Sequence, residues 1–297
     1  MPININKHSN IAVVVPTIRE ECWKSFMRHW FPLFEKHNVT LIKVQDGEEP
    51  LLSVDNDKYR TYTVKDIMGD DSDLIFNKND GVRNLGFAYI RKHLPEIEYI
   101  LTLDDDTTPV EGQDAIQQHL DVLNKRFPLD WMSTASDYVR GIPYGIRDDA
   151  LCTVSHGVWN GVMDWDAPTQ LIKGNRQLEF FKGVIPRNIY FPFCGMNIMF
   201  TRQMLPYMYY APMGYRVNMD RFADIWLGIT LKRICDKNNW AIASGYSTIV
   251  HERASDVWKN LQKEARGLEL NETFWKGDES DEYFKLYNTC RERWEKL

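Results

Sequence analysis

The sequence predicts an α/β protein in which a mostly parallel central sheet is flanked by helices. Three observations predict it. IAVVV (11–15) is a continuous, largely β-branched run closed by Pro16, the pattern of a strand buried on both faces. An amphipathic stretch follows over 20–36, with Trp23, Phe26, Met27, Trp30 and Phe34 at helical spacing, and VTLIKVQ (39–45) then ends on Asp46 and Gly47, completing a βαβ unit. EYILTL (98–103) repeats the strand signal and runs directly into Asp104, Asp105 and Asp106.

A helix that begins near Asp80 and continues through VRNLGFAYIRKHL feeds this third strand. The strand ends at Pro16 and Thr17, at Asp46 and at Asp104 then lie side by side if the strands are parallel neighbours, along the carboxyl edge where open α/β sheets bind ligands. The second half is less regular and richer in aromatics, Gly and Pro, as in RGIPYGIR (140–147), HGVWNGVMDWDAPTQL (156–171) and FPFCGMNIMF (191–200), a composition that suits loops and short strands around a pocket. A helix is expected from about Arg221 to Lys237, with Phe222, Ile225, Trp226 and Ile229 on one face. No repeat or linker cuts the chain. The expected organisation is a catalytic unit over 1–255 with a helical tail over 256–297 packed on it.

With 297 residues, 43% of them hydrophobic, the chain can bury a sizeable core. A net charge of -6 and the lack of any long Lys/Arg run argue against general binding to nucleic acid or acidic membranes. Cys22, Cys152, Cys194, Cys235 and Cys290 are odd in number, widely spaced and without a CxxC pair, so neither a disulfide framework nor a zinc site is expected, and a reducing cytoplasm fits. The apolar run Ile11 to Val15 is too short for a signal-peptide core or a membrane span. Oligomeric state is left open, a homo-oligomer included.

Three adjacent carboxylates at the end of a buried strand repel one another unless something positive sits among them. The first and third, Asp104 and Asp106, turn the same way and supply hard oxygen ligands for Mg²⁺ or Mn²⁺, which keep positions open for phosphate oxygens. The bland reading is a solvated acidic turn. His251, after a short apolar run, is either a further ligand or a structural hydrogen-bonding residue. Asp80 and Arg83 stand one turn apart at a helix start, placed either to meet a base and a phosphate or simply to cap the helix. Trp159, Trp165 and Trp226 are each either a stacking surface for a sugar or core.

VVVPTIRE, VQDG, LTLDDDT, VRGIPYGIR, VSHGVWNGVMDWDAPTQL, FPFCGMNIMF, RFADIWLG and HERAS, in this order over roughly residues 11 to 270, resemble the reversibly glycosylated polypeptides, the UDP-arabinopyranose mutases of plants and their microbial relatives. The resemblance implies a GT-A-like nucleotide-sugar fold, dependence on Mn²⁺ or Mg²⁺, and interconversion of UDP-arabinopyranose and UDP-arabinofuranose without a flavin. It puts Pro16, Thr17, Arg19 and Asp46 around uridine with Asp80 and Arg83 beside them, Asp104, Asp105 and Asp106 with the metal and diphosphate, and His251 at a C-terminal metal ligand. Arg140 matches the reversibly glycosylated arginine and Arg147 a second arginine associated with activity, while Trp159, Asp164, Asp166, Asn197 and Trp226 form the expected sugar-facing set. One departure is Ala223, where plant members carry the first of two neighbouring acids (RYDDMW against RFADIW here).

Converting a pyranose to a furanose requires the ring oxygen to leave C1. A nitrogen that displaces UDP at C1 allows this, because its lone pair expels the ring oxygen and frees the C4 hydroxyl to close the smaller ring. Arg140 is the expected nucleophile. Its guanidinium stays protonated, so a carboxylate, Asp164, Asp166 or preferably Asp224, must take a proton as attack proceeds. In a second version Arg140 only clamps the diphosphate. Two other functions fit the same residues: transfer of a sugar from UDP to a separate acceptor, and a non-catalytic UDP-sugar-binding partner subunit.

Overall fold

In the computed structural model, which describes residues 10–55, 60–133, 138, 140–252 and 255–297, the run IAVVV is part of a strand, β1 (Ile11–Thr17), buried on both faces. Its side chains alternate between two cores: Ala12 and Val14 face one, Ile11, Val13 and Val15 the other. This is why the run is continuously apolar rather than alternating.

The remaining strands are β2 (Thr40–Gln45), β3 (Leu51–Val54), β4 (Thr61–Thr63), β5 (Tyr99–Leu103), β6 (Thr107–Pro109), β7 (Arg126–Phe127), β8 (Ala150–Gly161), β9 (Gly183–Val184), β10 (Asn197–Thr201) and β11 (Trp240–His251). The helices are α1 (Glu20–Lys36), α2 (Val64–Met68), α3 (Asn84–His93), α4 (Ala115–Leu120), α5 (Ala167–Lys173), α6 (Ala223–Lys237), α7 (Val257–Phe274) and α8 (Glu282–Glu295). One sheet runs β4-β3-β2-β1-β5-β10-β8-β11-β6, with β7 beside β8 and β9 beside β11.

The sheet is mixed, which corrects the expectation of a mostly parallel one. β1 is parallel to β2 and β5, and β8 to β11, but β10 runs against both β5 and β8 and the outer strands are antiparallel as well. The α/β class itself holds, since α1 and α4 cover one face and α3, α6, α7 and α8 the other. Trp226 at the centre of the second layer touches Phe222, Phe274, Tyr283 and Phe284, so the tail helices α7 and α8 complete that core. Gly86 sets α3 against β1, because a Cβ there would meet Val14 Cγ1 at 2.5 Å.

The sheet also curls. β5 and β6 are joined by only Asp104–Asp106 yet stand four strand positions apart, about 19 Å in a flat sheet, whereas four residue steps reach at most ~14 Å. β11 absorbs the bend where its register with β8 breaks between Ser244 and Thr248, at Gly245 with φ +80°. The last turn of β11 thereby folds over the end of β5, and Thr107 pairs with His251. Among the described residues no helix is long and apolar enough to cross a membrane, and all five cysteines are free thiols.

Candidate functional site

The ends of β2, β1 and β5 lie side by side. Val14 pairs with Thr102, so three residues further on Thr17 faces Asp105, and its hydroxyl donates to Asp105 Oδ2 at 2.6 Å. Arg19 donates to both Asp105 and Asp106. These bonds neutralise part of the triplet from within and leave Asp105 buried. Pro16 pairs with Val44 just before this point. At the end of β2, Asp46 accepts from the Gly47 and Lys78 N–H groups, both at 2.8 Å, while burial pushes its carboxyl above the usual range.

Asp80 does not cap α3. The residues Asp80–Arg83 form a 3₁₀ turn capped by Asn79, whose side chain accepts from Gly81 N–H at 2.8 Å. The turn drives Arg83 inward until it is wholly buried. There its guanidinium donates to Thr102 Oγ1 (2.8 Å), the Gly195 carbonyl (2.9 Å), Asp104 (2.7 Å) and Asp80, with the ring of Tyr210 4.8 Å away. Arg83 therefore reaches the edge through the two carboxylates it holds. Asp80 and Asp104 each remain about one third exposed. Burial, reinforced by Asp104 and opposed by Arg83, pushes Asp80 up to about 6.

On the other side of the triplet stands His251. Its Nδ1 lies 2.8 Å from the Val162 carbonyl, which can only accept, so Nδ1 carries a proton and Nε2 is turned toward Asp106 Oδ1, 3.9 Å away. Burial and the neighbouring Asp104 raise the Asp106 carboxyl. Neighbouring ligands of an octahedral cation held at about 2.1 Å stand about 3 Å apart, so the 3.9 Å between His251 and Asp106 has to shorten for the two to share one. Among the described residues no group of three or more His, Cys, Asp or Glu side chains is close enough to hold a metal ion, so the expected trio Asp104, Asp106 and His251 is not drawn together and Asp106 with His251 is the nearest pair of donors.

The opposite wall is the start of α6. A Cβ on Gly228 would lie 2.3 Å from Phe193 N, and this close approach of α6 to the FPFCG loop lets Asp224 Oδ2 accept from Gly195 N–H at 2.7 Å. Burial pushes Asp224 up to about 8, helped by the charges of Asp80 and Asp164. Asp164 accepts from Arg221 (3.1 Å) and from the Cys194 thiol (3.3 Å). Arg221 also donates to Glu264 at 2.5 Å, and Glu264, buried on α7, accepts from Ala167 N–H at 2.7 Å.

Asp46, Asp80, Asp104, Asp106, Asp164, Asp224, Arg19 and His251 thus line one edge. Other expected site residues stand elsewhere. Trp226 is fully buried, its indole N–H donating to Asn271, and Trp159 packs in the opposite core against Phe180, so neither offers a face to a sugar. Asn197 is buried between His119 and the Val158 carbonyl. Asp166 caps α5 through Thr169. Arg140 is exposed in a turn, and Arg147 donates to the Ile142 carbonyl with Tyr144 3.9 Å away, so neither bonds to the acidic edge. Ala223 is fully buried and brings no carboxylate to the edge. Within HERAS, residues 253 and 254 lie outside the described residues. Sequence reasoning missed Gly195, Tyr210 and Glu264; the FPFCGMN block was a signal for the first.

The family model for reversibly glycosylated polypeptides matches residues 6–280. UDP-arabinopyranose mutase 3 of Arabidopsis thaliana is 33% identical over 95% of this chain and 79% of that protein. UDP-arabinopyranose mutase 1 of Oryza sativa subsp. japonica is 33% identical over 90% of this chain and 75% of that protein, and a probable UDP-arabinopyranose mutase 2 of Solanum tuberosum is 34% identical over 87% and 74%. The crystal structure of A197 from STIV covers 84% of this chain and 87% of its own at 7% identity, with a TM-score of 0.32, too distant a likeness to bear on function.

Proposed function

The chain belongs to the reversibly glycosylated polypeptide family, and from that premise we propose that it interconverts UDP-arabinopyranose and UDP-arabinofuranose, in a reducing cytoplasm, with a divalent cation and without a flavin. The observation that carries this reading is the run of contacts along one edge, from His251 beside Asp106, through Asp104, Arg83 and Gly195, to Asp224.

Asp106 and His251 would hold Mn²⁺ or Mg²⁺ in the manner of GT-A-like enzymes; bound there, the cation neutralises charge on a departing diphosphate. Thr17, Arg19, Asp46 and Asp80 frame the uridine side of the edge. Arg83 and Asp105 act from beneath, holding Asp80, Asp104 and Arg19 in place.

Asp224 is suited to take a proton near neutral pH, since a carboxyl pushed up to about 8 is a far stronger base than a solvated one. In the proposed sequence a guanidinium nitrogen of Arg140 attacks C1, the C1–O bond to UDP breaks, and Asp224 accepts the nitrogen's proton. The nitrogen lone pair then expels the ring oxygen, which is protonated. The C4 hydroxyl adds to C1 and gives up a proton, balancing the one taken up by the old ring oxygen, and UDP returns to C1 as Arg140 leaves and takes its own proton back from Asp224. Arg140 and Arg147 sit on one loop, 140–149, which has to swing toward the edge for this to happen.

Incubation with UDP-arabinopyranose and Mn²⁺ or Mg²⁺, without any acceptor, tests the proposal by chromatography of both ring forms. Furanose product supports it. Turnover that appears only when a separate sugar acceptor is supplied would replace the mutase with a transferase.

A further inference from the structure

Three polar side chains converge on the bare Cα of Gly195. A Cβ built there would lie 3.1 Å from Asp80 Oδ2, 3.1 Å from Tyr210 Oη and 3.3 Å from Asp224 Cβ. The missing side chain is what lets a carboxylate from the 3₁₀ turn, a carboxylate from α6 and a phenol from the segment before it close on one another. Tyr210 is fully buried, with its ring against Phe87 and 4.8 Å from the Arg83 guanidinium. Its hydroxyl is buried too, and has no hydrogen-bond partner among the described residues. A phenylalanine would pack in the same way without leaving a buried donor unpaired, which is a net cost to the fold.

The other charged groups facing this point already have partners: Asp104 is held by Arg83, Asp164 by Arg221 and Asp220 by Lys263. The donor left over is the Tyr210 O–H, and the carboxylates that share the space over Gly195 with it are Asp80 and Asp224. Bonds of this kind are commonly long in a free enzyme and tighten when ligand closes the site.

We propose that Tyr210 is a positioning residue whose hydroxyl donates to the Asp80–Asp224 carboxylate pair across Gly195 when UDP-sugar is bound. It touches neither substrate nor metal; it fixes the orientation of the group that takes the proton. The idea rests on the reading of Asp224 as that group, and two measurements keep the two ideas separable.

The first is Tyr210→Phe, which preserves the ring on Arg83. Mutase kcat is expected to fall roughly tenfold or more, the rate equivalent of one hydrogen bond to a charged group, while KM stays within about twofold and Tm does not drop. The second needs no turnover. In protein labelled with ¹³Cζ-tyrosine, the resonance absent from Tyr210→Phe identifies Tyr210, and saturation with UDP and Mg²⁺ is expected to shift it as the hydroxyl engages a carboxylate. Asp224→Asn should reduce that shift. An unmoved resonance at saturation, or a Tyr210→Phe enzyme with parental kcat, overturns the proposal. If the parent protein lacks mutase turnover, the resonance alone decides the matter and the functional reading fails separately.

Discussion

Arg83 and Asp224 are joined through one residue: the guanidinium donates to the Gly195 carbonyl at 2.9 Å, and the Gly195 N–H donates to Asp224 at 2.7 Å. The same guanidinium holds Asp80 and Asp104. Arg83 is fully buried, so its removal leaves both carboxylates facing each other with no compensating charge. Arg83→Met is expected to cost about 3–5 kcal/mol, the range for breaking a buried ion pair by deleting one member, measured by urea unfolding at pH 7. Arg83→Lys should recover little, since an ammonium cannot reach four acceptors arranged for a planar fork.

Buried titratable groups pull the pH dependence of stability in opposite directions. Burial drives His119 down to about 4 and His156 down to about 3, so each stays neutral while the unfolded chain takes up a proton near 6.5. Their contribution is complete above 6.5 and is lost as pH falls toward 4 and 3, at ~1.4 kcal/mol per pH unit for each. Asp80 and Asp224 are raised instead, and their contribution, complete below about 4, is lost as pH rises through about 6 and about 8. The difference between variant and parent therefore carries the test. His119→Gln should lose less stability than the parent between pH 6.5 and 4, and Asp224→Asn should gain on the parent between pH 4 and 8, both followed by urea midpoints across that range.

The same buried polar groups explain what sequence reasoning could reach. β1, α1, β2 and β5 were legible because strands covered on both faces must be continuously apolar, and the aspartate triplet was legible because charge at such a strand end is costly without a purpose. β8 and β11 read as irregular because Ser155, His156, Ser244 and Ser247 interrupt their apolar runs. In the structure those residues are buried and satisfied by His119, by one another and by the Ala115 carbonyl. That compensation is tertiary and leaves no periodicity behind. The inward turn of Arg83 was equally invisible, since the spacing Asp80 to Arg83 is the same for an exposed pair.

Activity should follow Asp224. A group with a carboxyl pushed up to about 8 works as a base only as it loses its proton, so kcat/KM is expected to climb with pH and level off above about 8. Asp224→Asn should lower the plateau by roughly 10²-fold or more and flatten the climb. A parental slope in Asp224→Asn would assign the proton to another group.

Chelation and a single substitution test the proposed cation site at Asp106 and His251. Extensive dialysis against EDTA is expected to abolish turnover, with recovery on Mn²⁺ or Mg²⁺. His251→Ala should weaken Mn²⁺ binding by about tenfold or more, read by the paramagnetic relaxation of water protons, because the Nε2 lone pair oriented by the Val162 carbonyl is lost. Full activity in EDTA would remove the cation from the mechanism.

The tail takes part in the site through Glu264. It is buried on α7, accepts from the Ala167 N–H at the start of α5, and accepts from Arg221, which in turn holds Asp164 beside Asp224. Arg221 itself adopts a positive φ of 70°, a conformation an arginine takes up only when its surroundings hold it there. Glu264→Ala leaves the half-buried guanidinium and the Ala167 N–H without their acceptor, and is expected to destabilise the fold by about 3 kcal/mol. Glu264→Gln keeps an acceptor and should recover part of that loss in stability while still weakening the hold on Arg221. Activity should then separate from stability. If Arg221 positions Asp164, the Gln variant recovers more of its stability than of its kcat, whereas equal recovery of both would reduce Glu264 to a clamp between the tail and α5.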